Sequence, residues 1–348
     1  MTDGKYRAGI IGLGMIGGAD PVSAEAIGQS VDGLDGTHFG ALSAHEKVEV
    51  VAGSSRDAGR RDRFADRSGA KVYADYRQML VEEQLDIVSV ASYSPAHAEN
   101  AIACAEAGAK AIYCEKPITT TLADADQLVL ACQEHGVLLQ VNHQRRFDPN
   151  YQRLRDLIAA GELGDLTSGL IQWGGGRLGN VGTHTIDGIR MLTGCQVEAV
   201  SGHLDLSGRP DCRGDDFQDP GGWGMLRMEG GLIILVDAAD YGAVPFHIAI
   251  NGTKGRAVLG ADGIQLTMTD GQSDHWPIVR DNKTTFMHGA VADIVKSLDE
   301  GGPQTIPVDD AMRTFEAIVA LHVSHDHGAA WAELPLTGQD RQREVRSG

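Results

Sequence analysis

What the chain lacks narrows its function first. Its five cysteines (Cys104, Cys114, Cys132, Cys195 and Cys212) are scattered, and no two have CxxC spacing. That pattern offers no zinc site and no disulfide framework, and it points to reduced thiols in a cytoplasm. No run of about 18 apolar residues occurs, so no membrane-spanning helix is expected. The opening Met1-Thr2-Asp3-Gly4-Lys5 lacks the basic and then apolar pattern of a secretory signal. Lys and Arg number 30 against 48 Asp and Glu, a net charge of −18. Nucleic-acid surfaces need clustered cations to neutralise phosphates, so that class of partner is excluded.

What remains is a chain of ordinary globular composition and 348 residues, enough for two domains. Its 45 glycines fall largely in turns between apolar runs. The run Ala111-Ile112-Tyr113-Cys114 ends in Glu115-Lys116-Pro117. It reads as a buried strand delivering one lysine to the sheet edge, where open parallel sheets bind their ligands. Pro117 fixes the backbone just beyond the ammonium.

Residues 1–145 read as a dinucleotide-binding domain. Tyr6–Ile11 is a first strand running into Gly12-Leu13-Gly14-Met15-Ile16-Gly17. Gly12 permits a tight turn, Gly14 lets a pyrophosphate approach the backbone, and Gly17 lets helix and sheet pack closely. With Met15 and Ile16 they are the candidate pyrophosphate contacts, at the start of a helix whose N–H groups suit phosphates. Gly18–Ala44 is longer and more polar than one crossover helix needs, and reads as an inserted loop: a lid over the cofactor, an oligomer contact, or a disordered insertion without function. Val48–Gly53 is the second strand, followed by Ser54-Ser55-Arg56-Asp57 where an NAD site carries an acid for the ribose. Two hydroxyls and a guanidinium suit a 2′-phosphate, which favours NADP. Asp57 as a helix cap with Arg56 in solvent would instead leave NAD. Further strands at 86–91, 111–114 and 137–142 alternate with helices, the pattern of a doubly wound parallel sheet. That topology lines up Gly12, Ser55, Ser92, Lys116 and Asn142 on one edge. Tyr93, His97 and Glu115 join them as candidate cofactor contacts.

Residues 146–348 read as a substrate domain. A helix follows Asp148-Pro149, and a strand spans Leu166–Trp173. Gly174-Gly175-Gly176-Arg177 forms a loop, and His184 opens a helix over Thr185–Leu192. Short β-type runs then predict an open, mostly antiparallel sheet. Helices over 285–299 and 309–322 complete the domain, the first bringing His288 toward the pocket. Asn180 and His184, four apart, can face one pocket. A helix N-terminus favours neutral imidazole. Such an imidazole can take a hydroxyl proton while Lys116 hydrogen-bonds the same oxygen. Trp173 could stack on a sugar ring, and Arg145, Arg146 or Arg177 could hold an acidic group.

The chain resembles the Gfo/Idh/MocA oxidoreductases in four stretches: the glycine turn 12–17, Cys114-Glu115-Lys116-Pro117, Arg146-Phe147-Asp148-Pro149, and Gly182-Thr183-His184-Thr185-Ile186-Asp187. The resemblance covers roughly residues 5–330 and implies a Rossmann domain plus an α/β domain with an open sheet. It implies NAD or NADP, a sugar, polyol or related substrate, and a homodimer or homotetramer. Lys116 and His184 match the family's catalytic pair, with Asn180, Arg146, Trp173 and Asp187 as candidate substrate contacts. Two positions depart from the family pattern: many members have aspartate where this chain has Asn180, and Thr-Pro-Asn where it has Ser92-Tyr93-Ser94.

Three functions fit these residues. The first is an NAD(P)-dependent sugar or polyol dehydrogenase. The second is a redox-neutral lyase or glycosidase that oxidises a sugar carbon transiently and then eliminates. The third is a non-enzymatic dinucleotide sensor, against which an intact Lys116 and His184 argue.

Overall fold

The computed structural model describes residues 4–26, 29–31, 36–207, 219–239, 244–278 and 286–347. The chain forms two compact units. The first comprises Met1–Thr119, Asp124–Gln144 and Asp281–Val308, and the second comprises Thr120–Ala123, Arg145–Arg280 and Asp309–Gly348.

The first unit is built on six parallel strands: β1 (Tyr6–Ile11), β2 (Val48–Ser54), β3 (Lys71–Tyr73), β4 (Ile87–Val90), β5 (Ala111–Cys114) and β6 (Leu138–Val141). Their order is β3-β2-β1-β4-β5-β6, the doubly wound Rossmann order. All four residues of β4 and of β5 are buried, as expected where helices cover both faces of a parallel sheet. The helices are α1 (Met15–Gly18), α2 (Pro21–Glu25), α3 (His38–Ala44), α4 (Ala58–Ser68), α5 (Tyr76–Glu83), α6 (His97–Glu106) and α7 (Leu122–His135).

Gly18–Ala44 differs from the expected insertion. Of its turn signals, Asp32-Gly33 and Asp35 lie outside the described residues. The described parts are tied down. Buried Asp20 caps α2 by accepting from Ser23 N at 3.0 Å, and it pairs with Arg63 of α4 at 2.6 and 3.0 Å. The Arg67 guanidinium donates to Gly18 O and Ala19 O, holding Ala19 at φ +56°. Thr37 Oγ1 accepts from Gly40 N and starts α3, of which His38 to Leu42 are buried. That helix belongs to the core, where a lid would be exposed. The apolar run behind Thr37 is the sequence signal for it.

The helix Phe286–Glu300 packs on α3 of the first unit, whereas a single division after residue 145 puts it in the second. Three long-range contacts explain this. Gln140 Nε2 donates to Ala290 O (3.0 Å), Tyr6 OH donates to Asp299 Oδ1 (2.7 Å), and Lys47 Nζ pairs with Asp299 Oδ2 (2.7 Å).

The second unit contains a nine-stranded sheet: β7 (Leu166–Gln172), β8 (Val197–Asp205), β9 (Gly221–Met228), β10 (Ile233–Ala238), β11 (His247–Gly252), β12 (Gly255–Gly260), β13 (Gly263–Met268), β14 (Ser273–Pro277) and β15 (Ala332–Glu333). Their order is β14-β13-β12-β11-β7-β10-β9-β8-β15. β7 and β10 run parallel, and the other described pairs are antiparallel. The sheet is therefore mixed and mostly antiparallel, as expected. β8, β14 and β15 escape a reading based on apolar alternation: Ser201-Gly202 interrupts the first, and the other two are a polar edge and a two-residue pair. α8 (Pro149–Ala159) starts where Asp148 accepts from Asn150 N at 2.7 Å, and α9 (Thr183–Thr193) packs on it and on β7. On the opposite face Leu235 stands beside Met225 in one pairing direction and Leu170 in the other, with Trp223 two pairs along. Trp223, Met225 and Leu235 are 38%, 37% and 49% exposed.

Candidate active site

The glycine turn has the shape its residues dictate. Gly12 sits at φ +98°, and a Cβ there would lie 2.4 Å from Ala91 O. A Cβ on Gly17 would lie 1.9 Å from Gly12 O, so both positions require glycine. Gly14 is open, and its nearest neighbour in the Cβ direction is Arg60 Nη1 at 3.9 Å. A turn with one unobstructed backbone face and a guanidinium beside it fits the pyrophosphate of a dinucleotide. α1 is a single turn, Met15–Gly18, so its dipole is far weaker than that of a helix of several turns.

At the end of β2, Ser54 is buried, while Ser55 is half-buried and Arg56 exposed. Asp57 caps α4 by accepting from Arg60 N at 2.8 Å. The carboxylate nearest the expected ribose position is thus engaged by backbone. Arg60 of the first turn of α4, which the sequence alone did not single out, comes near the glycine turn instead.

β5 ends in a buried polar network. Glu115 Oε1 accepts from His38 Nε2 at 2.9 Å and from Asn142 Nδ2 at 2.5 Å. Oε2 faces Lys116 N at 3.3 Å. Asn142 Oδ1 accepts from Tyr113 OH at 2.7 Å, and Ser89 Oγ lies 2.7 Å from His38 Nδ1. Burial pushes the Glu115 carboxyl up. The His38 hydrogen bond, the electrostatic pull of His38 and Lys116, and the Asn142 amide outweigh that and hold it at about 2. Burial, then the Glu115 charge, push the Tyr113 phenol well above its usual value, so it keeps the proton it donates to Asn142.

His97 braces the neighbouring loops. Its Nδ1 lies 2.9 Å from Pro117 O and its Nε2 2.8 Å from Ser92 O. Burial pushes its pKa below the usual histidine value against the pull of those two carbonyls. Ser92 Oγ accepts from Asn100 Nδ2 at 2.9 Å, and Tyr93 is 47% exposed.

In the second unit, helical backbone begins earlier than expected. A π-turn at Leu178–Gly182 runs directly into α9. Arg177 precedes it at φ +63°. Buried Asp219 accepts from Gly179 N at 2.6 Å and from Asn180 N at 2.9 Å. The positive end of this helix therefore lies at Gly179 and Asn180, under a carboxylate. His184 stands in the second turn, where a dipole effect has largely decayed. Trp173 is fully buried and donates from Nε1 to Gly176 O at 2.6 Å. A Cβ on Gly182 would lie 3.2 Å from its ring. Trp173 supports the π-turn, with no face left for a sugar to stack on.

Arg146 and Asp187 meet each other. Arg146 Nη2 and Nε donate to Asp187 at 2.7 to 3.1 Å, and Nη1 donates to Asp310 at 2.7 Å. Arg190 adds Nη2 to Asp310 Oδ1 (2.8 Å) and Nη1 to Thr314 Oγ1 (2.7 Å). Among the described residues, no group of three or more His, Cys, Asp or Glu could hold a metal ion. No described helix is long and apolar enough to cross a membrane.

A family model described as "Oxidoreductase family, NAD-binding Rossmann fold" matches residues 6–143, and the family's C-terminal domain matches residues 170–258. The chain belongs to the Gfo/Idh/MocA oxidoreductase family. Inositol 2-dehydrogenase of Salmonella typhimurium is 33% identical over 161 residues, 45% of this chain and 43% of its own length. Myo-inositol 2-dehydrogenase of Thermotoga maritima is 29% identical over 224 residues, 59% of this chain and 65% of its own. The chain spans under two thirds of the length of either relative. The WlbA dehydrogenase from Bordetella pertussis, solved with NADH and UDP-GlcNAcA, superposes with a TM-score of 0.78 at 21% identity, covering 97% of this chain and all of that one. The aldose-aldose oxidoreductase from Caulobacter crescentus, solved with glycerol, has the same score at 18% identity, covering 95% of this chain and 100% of its own. At those identities the likeness is one of fold.

Within this Gfo/Idh/MocA chain these sequence-derived candidates separate into three groups. Gly12, Gly14, Met15, Ile16, Gly17, Ser55, Arg56, Ser92 and Tyr93 lie on the turns and loops that follow β1, β2 and β4. Glu115, Asn142 and His97 have polar atoms engaged by protein groups. Arg146, Asp187 and Trp173, expected at the substrate, are buried structural groups. His38, Ser89, Arg60 and Asp219 were missed. Each acts through a contact distant in sequence, and no local motif announces it.

Proposed function

We propose that this protein is an NADP- or NAD-dependent dehydrogenase of a hydroxyl-bearing carbon in a sugar, polyol or sugar derivative. The observation that carries the reading is the strand β5 ending in an ionised, doubly hydrogen-bonded Glu115 followed by Lys116, within a Gfo/Idh/MocA chain. Bound nicotinamide supplies the hydride acceptor. Lys116 hydrogen-bonds the substrate oxygen and favours alkoxide character, and His184 takes the hydroxyl proton. Asn180 serves as a hydrogen-bond partner for a neighbouring substrate hydroxyl. The buried thiols of Cys104, Cys114 and Cys132 support a reducing, cytoplasmic setting.

The test is anaerobic absorbance at the reduced-nicotinamide band, with NADP or NAD and a panel of sugars, inositols, sugar acids and glycosides, and products followed by mass spectrometry. Net reduced cofactor is the expected result. Product without net reduced cofactor would replace this reading with the redox-neutral elimination that Asn180, in place of an acid, also suits. Tight dinucleotide binding with neither signal would favour a sensor.

NADP is the preferred cofactor in this reading. It is supported by the Asp57 carboxylate being engaged as a helix cap and by two guanidinium groups, Arg56 and Arg60, beside Ser55 and the glycine turn. The double variant Arg56→Ala/Arg60→Ala should weaken NADP binding about 10- to 100-fold, as loss of charge-assisted hydrogen bonds of about 1.5–3 kcal/mol implies. NAD affinity should fall less, by the one contact that Arg60 offers the pyrophosphate both cofactors share. Fluorescence titration of the two cofactors decides it, and equal losses for both would remove the preference.

The second unit's open sheet face supports a homodimer or homotetramer. An exposed apolar strip of this kind is unusual on a monomer. Trp223→Glu together with Leu235→Lys should give a smaller species by light scattering at unchanged far-ultraviolet circular dichroism.

A further inference from the structure

Ser89, His38 and Glu115 follow one another through hydrogen bonds in the order of an acyl-transfer triad. Ser89 is fully buried on β4, so no substrate can reach its hydroxyl, and the arrangement must serve something else. The donor directions follow from the partners. Ionised Glu115 only accepts, so His38 Nε2 carries the hydrogen it donates. In the neutral imidazole Nδ1 accepts from the Ser89 hydroxyl, and in the imidazolium it donates to the Ser89 oxygen. On the other side Tyr113 O–H donates to Asn142 Oδ1, and Asn142 Nδ2–H donates to the same carboxylate oxygen. Two chains of polarised donors therefore converge on Glu115 Oε1, and His38 also packs on the Tyr113 ring at 4.4 Å between centroids.

We propose that His38 is a positioning residue for Lys116: by donating to Glu115 Oε1 it keeps that carboxylate ionised and turned into the protein, so the residue next to it projects from a fixed, charged base. The proposal rests on the reading of Lys116 as the catalytic lysine. The glycine-turn helix segment, which a first look at the sequence treats as an insertion, thereby supplies part of the site.

The groups facing Glu115 are His38 from α3, Tyr113 and Cys114 from β5, His97 from α6, Asn142 after β6, and Lys116 itself. Tyr113 and Cys114 are pushed up by burial and His97 is pushed down. Between pH 4 and pH 7, roughly the range over which ordinary carboxyls titrate, Tyr113 and Cys114 therefore keep their protons, and Glu115 is the carboxyl of the cluster.

The experiment compares wild type with His38→Phe, which keeps a ring against Tyr113 but no donor, His38→Gln, which restores an amide donor, and Glu115→Gln. Infrared difference spectra between the two ends of that range read the carboxylic-acid carbonyl of Glu115, assigned by its loss when Glu115→Gln is added to His38→Phe. This readout needs no turnover. Wild type and His38→Gln should show no protonation, and His38→Phe should show it. In steady-state assays His38→Phe should lower kcat about tenfold or more at little change in KM, His38→Gln should recover most of it, and His38→Phe should add nothing in the Glu115→Gln background. Absence of the infrared band in His38→Phe, or additive losses in the double variant, would overturn the proposal. If His38→Phe does not fold, Asn142→Leu removes the other donor and should bring out the same band, and a silent spectrum there overturns it too. The band without turnover in any variant, wild type included, would retain the proposal's charge-holding role and discard the dehydrogenase reading.

Discussion

Lys116→Ala should lower kcat on the preferred alcohol by about 10²–10⁴-fold, and His184→Ala by a similar factor, with dinucleotide affinity kept within about threefold. The two act at different points of one event. In the proposed reaction Lys116 stabilises negative charge growing on oxygen, and His184 removes the proton from that oxygen. The two losses should therefore be far from additive: with one gone, the second has little transition-state advantage left to lose. Lys116→Arg is informative because arginine keeps the charge but not the compact ammonium, and should recover little. Stopped-flow measurement of cofactor reduction, with binding followed separately by fluorescence, checks each part. A variant pair that loses binding as well as turnover would mean that Lys116 serves the cofactor and not the substrate.

The second large effect concerns stability. Arg146→Ala should destabilise the second unit by about 3–5 kcal/mol, the usual consequence of leaving one member of a buried ion pair without its partner. Arg146 is held by Asp187 on two edges and by Asp310 on a third, and Asp187 is almost fully enclosed. Burial works against the guanidinium charge, but the two carboxylates outweigh it and hold Arg146 above its ordinary value. The compensating double variant Arg146→Met/Asp187→Leu removes both charges and leaves Arg190 paired with Asp310. It should recover most of the lost stability. Denaturant melts of the three proteins test this, and the activity of the double variant tests the assignment. If Arg146 or Asp187 touched substrate, the stable double variant would be inactive. Near-normal KM in that variant is the expected outcome.

The contrast between these residues explains what was legible in the sequence. Strand β5 with its Glu-Lys-Pro, the glycine turn and the helix start at Asp148 are local patterns, and each is where its residues predict it. Gly12 and Gly17 could be read because backbone sterics act between near neighbours. The residues whose partners the sequence leaves open are those whose chemistry is ambiguous until the fold supplies one. A tryptophan after a strand can face a sugar or a π-turn, and an arginine beside Asp148 can face a ligand or Asp187. Likewise His38 lies more than 70 residues from Glu115 in sequence, and nothing in the glycine-rich stretch before it marks the strand end it will reach. The π-turn itself has no sequence signature, so the sequence places the start of the helical backbone around His184 six or seven residues after Leu178, where it begins.

The return of the helix Phe286–Glu300 to the first unit has a consequence for synthesis. Met287, Ala290, Val291, Ile294 and Val295 are buried in that helix, which packs on α3, the helix that carries His38. A ribosome finishes β6 at Val141 and then makes more than 140 further residues before this cover emerges. At 5–20 residues per second the wait is roughly 7–30 s. During it the nascent six-stranded sheet carries α3 with an apolar flank open to water. The nucleotide-binding half therefore matures after most of the half that follows it in the gene, and a nascent chain stalled between those points is a natural client for a chaperone.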